Sequence, residues 1–230
     1  MINSILFHLF FVFVLFFETQ LLAAPACHIY FNDSNTVVTR LTEQEVRSLV
    51  DNSKDYQDKR NKEWSERNRC LCCHTTLPYM LARSYDQNSK QVMEKIKDMA
   101  AQKVENPEAA PWYHSDRAGK NSKPTEAVVH ALTLLMYDIS TQSTLKPTTL
   151  KAVEQIFEHQ NRNGRLHWLD FALQPFESKK GELWGNSMAI LAIELAQNNS
   201  NYRAPVEKYQ KLKSYVLNNI SKLKPQEMAV

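Results

Sequence analysis

Glycine is nearly missing from this chain, with four in 230 residues. Tight turns between paired strands draw on glycine for their backbone geometry, so the scarcity argues against a β-rich fold and for an all-α one. No glycine-rich loop of the phosphate-cradling kind is present. Charge of one sign is lacking as well. The net charge is +3, from 28 Lys and Arg against 25 Asp and Glu, and no basic stripe carries interleaved aromatics. Nucleic acid is therefore not among the expected partners. Lys and Glu are mixed along the chain, the pattern of solvated helix faces. Cysteine is sparse too: there are four, and no second Cys-x-x-Cys pair exists beside the one at residues 70–73.

The one long apolar run is ILFHLFFVFVLFF at residues 5–17, followed by Ala24-Pro25-Ala26. A small-x-small site after an apolar core marks a signal peptide, here residues 1–26, and the expected location is the periplasm. The positive n-region is missing and His8 interrupts the core. An uncleaved anchor is thus the alternative, although the run is short for a bilayer span. Cys27 follows a small residue and opens lipidation as a third fate, against which Pro25 counts. Membrane association is expected only through an uncleaved signal or a lipidated Cys27.

What stands out is Cys70-Leu71-Cys72-Cys73-His74. Its Cys-x-x-Cys-His spacing is that of a c-type haem attachment site. One turn of chain places Cys70 and Cys73 where their sulfurs can bond to the two vinyl groups, and His74 then lies under the iron as proximal ligand. Cys72 lacks the correct offset and should be a spare thiol. The competing readings are a zinc site and chance. Structural zinc takes four Cys or His ligands, usually from two spaced pairs, and only Cys27 lies outside this cluster.

The continuation from Cys70 to Arg83 reads CLCCHTTLPYMLAR. It resembles a group of exported bacterial proteins in which a Cys-x-x-Cys-His-Thr-Thr-Leu-Pro-Tyr segment precedes helical repeats like those of squalene cyclases and prenyltransferase β-subunits. Thr125-Glu126-Ala127-Val128 and the run Trp168 to Glu177 look like that group too, and the likeness spans roughly residues 64 to 220. It implies haem c, covalent and one per chain, on an α/α-toroid scaffold, and nothing about a substrate. The cyclases' Asp-x-Asp-Asp acid is absent, as is a zinc constellation like that of the prenyltransferases.

Along the chain, residues 27–63 form a lead and a polar helix, with Thr42 as cap, Glu45 completing a capping box, and an end near Asp58. Residues 64–124 hold the haem segment, a following helix and a loop. Trp64 is a candidate for packing on a porphyrin edge or in a core. Arg69 and Arg83 are candidates for haem propionates or for the surface. Pro78 ends one short helix or starts the next. Apolar positions from Val92 to Val104 have helical spacing over 89–104. In the loop that follows, Pro111-Trp112-Tyr113-His114 either closes over a cofactor or packs down.

Residues 125–230 read as repeats. A helix capped by Thr125 runs through Ala127 to Tyr137, and Pro147 starts an amphipathic helix ending near His159. Met188–Leu195 repeats the first type, and Pro205 the second. The offsets are 60 from Val128 to Met188 and 58 from Pro147 to Pro205, a repeat signature. Gln160-Asn161-Arg162-Asn163-Gly164, with Trp168 beyond, resembles the Gln-x-x-x-Gly-x-Trp turn of terpenoid cyclases, its tryptophan two places late. Glu126, His130, Thr133 and Tyr137 share one helical stripe, which faces a central cavity or forms a hydrogen-bonded seam between inner helices. Two helix pairs make an open arc, a partial toroid whose inner face invites a partner.

The leading expectation is a c-type cytochrome that carries electrons and docks a redox or subunit partner. The alternatives are a haem enzyme acting on an apolar substrate, and a non-catalytic binding module braced by haem or zinc. No catalytic residue is assigned. The distal ligand separates these readings; its candidates are His130, His114, Met93 and Met99. Met136 is also within the chain's repertoire, and Met80 is too close to His74 to reach the opposite face.

Overall fold

The structure, a computed structural model, describes residues 41–68, 71, 75–109, 114–115, 120–141, 144–172 and 176–220. Contacts divide the chain into two units, Met1–Asp55 and Tyr56–Val230. Helix α1 (Glu43–Asn68) begins in the first. Its start carries the expected reciprocal cap: Thr42 N donates to Glu45 Oε2 at 2.7 Å and Glu45 N to Thr42 Oγ1 at 3.2 Å. Leu41 and Val46 occupy the staple positions around that cap. Arg47–Glu43 and Lys54–Asp51 pairs follow on the exposed surface, where solvent screening leaves them little weight.

Among its described residues the second unit is helical apart from one antiparallel two-residue ladder, β1 (His114–Ser115) with β2 (Lys120–Asn121), and an isolated bridge between Gln160 and Leu166. Helix α1 runs on to Asn68, ten residues past the expected stop at Asp58. Its buried side chains there are polar, Asn61 and Ser65, so hydrophobic periodicity carried no trace of the packed face. α2 (Thr76–Arg83) holds Pro78 in its first turn, where a missing N–H costs nothing. α3 (Lys90–Glu105) follows a 3-10 turn.

α4 (Lys123–Ser140) is the centre. Every residue from Ala127 to Asp138 is buried, and α2, α3, α5 and α6 all pack on it. Thr125 is not its cap: Ser122 holds that position, and the Thr125 hydroxyl instead accepts Leu169 N at 2.9 Å. α5 (Pro147–Glu158) turns back along α4. Asp138, 1% exposed, fixes this hairpin by accepting Lys146 N at 3.0 Å and Thr149 Oγ1 at 2.6 Å.

α6 (Gly181–Asn198) packs on α4, and α7 (Val206–Ile220) packs on α6. α6 buries a stripe of its smallest residues, Gly185, Ala189, Ala192 and Ala196. The loop before it is stitched down by one side chain: Asn186 Oδ1 accepts Leu166 N at 2.8 Å, and its Nδ2 donates to Leu166 O at 3.0 Å and Glu182 O at 2.7 Å. Gln160 spans the turn after α5, donating to Gly164 O and to Lys208 O of α7, both at 2.9 Å. Gly164 has φ +90°, and a Cβ there would sit 2.3 Å from Lys211 O. Trp168 is buried against Gly185 and donates Nε1–H to Phe176 O at 2.6 Å.

A Cβ at Gly185 would lie 2.0 Å from the Trp168 ring. Gly185→Ala should therefore lower stability by about 2 kcal/mol or more, read as a drop in the urea midpoint. A midpoint equal to wild type would show that the indole can move aside.

Candidate functional site

Cys70, Cys72, Cys73 and His74 lie outside the described residues, as do Arg69 and Trp112; His114 is described only through its backbone in β1. The flanks of the segment are described. Leu71 is 8% exposed and belongs to the apolar core. Thr76, Leu77, Tyr79 and Met80 on α2 are all buried. The polypeptide is thus anchored in the core on both sides of His74, on one side from within the motif itself.

Arg83 is neither on the surface nor open to an acidic ligand through its fork. It is 5% exposed. Its Nη2 donates to Asp58 at 3.1 and 3.3 Å, and Nη1 is paired with Asp86. Ser89 Oγ closes the corner by donating to Arg83 O at 2.8 Å. The Tyr79 phenol is pushed well above its usual range by burial, with Asp58 adding to it. This network joins the second half of α1 to the end of α2.

Around it lies an unusual set of atoms. Asn61 Oδ1, Trp64 Nε1, Thr75 Oγ1, Tyr79 OH, Arg83 Nε and Ser84 Oγ are buried without a hydrogen-bond partner. Elsewhere among the described residues only Thr133, Arg165 and Tyr202 have such an atom. Buried polar groups are ordinarily satisfied, and each exception asks for a reason. All but Asn61 Oδ1 can donate. Thr75 is the sharpest case. It stands at the N-cap of α2 yet makes no side-chain cap bond, although a threonine there normally accepts a helix N–H. A group rich in acceptors would satisfy this region; a bare cation would not.

The polar stripe of α4 runs along α3. Glu126 Oε2 lies 3.6 Å from Lys103 Nζ and 4.0 Å from His130 Nε2, and Glu126 Oε1 is paired with the Ser122 hydroxyl. At the other end Tyr137 OH donates to Glu94 Oε1 at 3.3 Å. Lys103 and Glu94 are α3 residues, so the seam joins α4 to α3 rather than to α6. His130 is 4% exposed; burial, and then the Lys103 ammonium, push its pKa down to about 3. Its imidazole is neutral, the form that can ligate a metal. Of the methionine candidates Met93 is 2% exposed and Met99 is half-buried; Met80 and Met136 are core residues.

A second polar cluster had no spacing signal in the sequence. Glu182 Oε2 receives Arg165 Nη2 at 2.6 Å, and Oε1 receives Tyr215 OH at 2.7 Å, while Arg165 Nη2 also lies 3.1 Å from His167 Nδ1. Burial and Glu182 push the Tyr215 phenol up to about 12. The cluster ties the loop, α6 and α7 together. Among the described residues no group of three His, Cys, Asp or Glu side chains converges as a metal site, and no helix is long and apolar enough to cross a membrane. No family model matches the chain, and no curated protein or solved structure does.

The buried His130 sets a pH dependence. Its folded pKa lies below the ordinary value of 6.5, so below that pH the unfolded chain binds the extra proton and stability falls with acid. The slope should approach about 1.4 kcal/mol per pH unit down to about pH 3. Glu126, whose carboxyl burial raises, offsets part of this near its own titration. Urea unfolding from pH 7 to 4 should show the decline, and His130→Gln should flatten it. An unchanged slope in the variant would assign the acid sensitivity elsewhere.

Proposed function

We propose that the chain is an exported, periplasmic c-type haem protein that transfers electrons on a partial α/α-toroid scaffold. Cys70 and Cys73 would hold the haem through thioethers, with His74 as the proximal iron ligand. The observation that carries the reading is the concentration of unpartnered buried donors on the two flanks of the Cys-x-x-Cys-His segment. A porphyrin brings two carboxylates, and this is the region of the described chain where such donors are most concentrated. When bound, haem supplies one-electron redox chemistry.

The chain's own residues do the rest. Leu71 and Leu77 fasten the attachment segment into the apolar core. The Arg83–Asp58–Asp86 network holds α2 against the end of α1. His130, neutral and buried, remains a histidine candidate for the distal side, beside His114. In support of the toroid, two apolar helices pack together, each followed by an amphipathic one that packs on it.

The open arc also favours a protein partner. Trp184, Met188, Leu191 and Leu195 share one face of α6 and stay only half-buried, where a further repeat would stack. The partner reading and the electron-transfer reading are compatible.

Co-expression with a c-type maturation system should yield a red product that keeps its pigment in acid acetone and gains the tetrapyrrole mass. Cys73→Ala should shift the pyridine haemochrome band, while Cys72→Ala should leave it in place. Slow or absent carbon monoxide binding by the reduced protein would fit a carrier with a filled sixth position; rapid binding would favour chemistry at an open iron. A mature chain without added mass, under conditions that load a control cytochrome, would overturn the haem reading.

A further inference from the structure

Trp64 and Thr75 flank the attachment segment on opposite sides in sequence. Each is half-buried as a residue, yet each hides its polar atom completely: Trp64 Nε1 and Thr75 Oγ1 have no partner. Other atoms of Trp64 do have neighbours. Arg60 lies over the ring, 5.8 Å from the centroid, and Asn68 Nδ2 donates to Trp64 O at 3.1 Å. Thr75 is fixed by α2, whose first bond runs from Tyr79 N to Thr75 O at 3.0 Å. Both are donors buried without acceptors. An indole N–H only donates, and burying it alone is unfavourable.

Arginine is the obvious residue to grip a carboxylate, but Arg83 has spent both arms of its fork on Asp58 and Asp86. Apart from Arg83 Nε, the unpartnered donors of this region are neutral. We infer that the Trp64 indole N–H and the Thr75 hydroxyl are carboxylate-binding groups, and that in the haem-loaded protein they donate to the propionates. This rests on the haem reading above and goes beyond it by assigning the anchoring residues. Neutral donors leave the carboxylate charge in place but draw electron density from it. They thereby favour the reduced iron relative to the same site without them.

The test uses the full chain matured with covalent haem, in wild-type, Trp64→Phe, Thr75→Val and Thr75→Ser forms. Phenylalanine keeps an aromatic ring and loses the donor; serine keeps the donor and loses the methyl group. Redox titration should show the equilibrium constant for reduction falling about threefold or more in Trp64→Phe and in Thr75→Val. The propionate bending mode in resonance Raman should move in the same two variants. Thr75→Ser should match wild type in both readouts. Haem-bearing variants with unchanged potential and mode would overturn this assignment alone. So would a Thr75→Ser shift as large as that of Thr75→Val, because packing would then explain it. Chains that carry no tetrapyrrole mass would overturn the haem reading and this assignment together.

Discussion

An α-helix with no face turned to water has no stable place except inside other helices. α4 is such a helix, buried on every side from Ala127 to Asp138, and the second unit is arranged to enclose it. α5 and α6 supply two walls, and α2 and α3 the others. Removing thirteen consecutive or near-consecutive side chains from water, at about 25 cal/mol per Å² of apolar surface, dominates any single contact in the molecule. It also explains where the polar groups had to go. Asp138, Thr125 and His130 sit on a helix that cannot show them to water, so each must be answered locally or stay neutral.

The answers differ in kind. Asp138 and Asn186 are fully used, each satisfying backbone groups of a neighbouring turn. They act as internal caps, replacing the glycines the chain does not have. The Glu126–Lys103 pair is enclosed, and His130 beside it stays uncharged because burial opposes its cation. Near α2 the pattern reverses, with donors in place and their acceptors missing. Buried polar groups are thus answered within the polypeptide around Asp138 and Asn186, whereas several near α2 are not.

The helices were largely legible in the sequence where apolar spacing was regular. The 89–104 stretch became Lys90–Glu105, and Pro147 opens α5. The capping box at Thr42 and Glu45 was readable because its two side chains are fixed by local geometry alone. What stayed hidden was polar burial. α1 outran its expected end because Asn61 and Ser65 face inward, and Thr125 passed for a cap because its hydroxyl serves a loop 44 residues away. The Arg83 network and the Arg165–Glu182–Tyr215 cluster join residues 25 and up to 50 positions apart, distances at which no local pattern exists. The unpartnered donors could not be foreseen from residue type, since most tryptophans and threonines find partners.

The turn after α5 has a bearing on how the chain is assembled. Gly164 takes its positive φ against Lys211 O, Gln160 donates to Lys208 O, and Lys208 Nζ donates to Phe157 O at 3.0 Å. All of these partners belong to α7. A ribosome delivers α5 and its turn some forty residues before α7 exists, so this corner is provisional during synthesis. The last described helix is in that sense a latch, and a nascent chain stalled short of it would present the turn after α5 unfastened to proteases and chaperones.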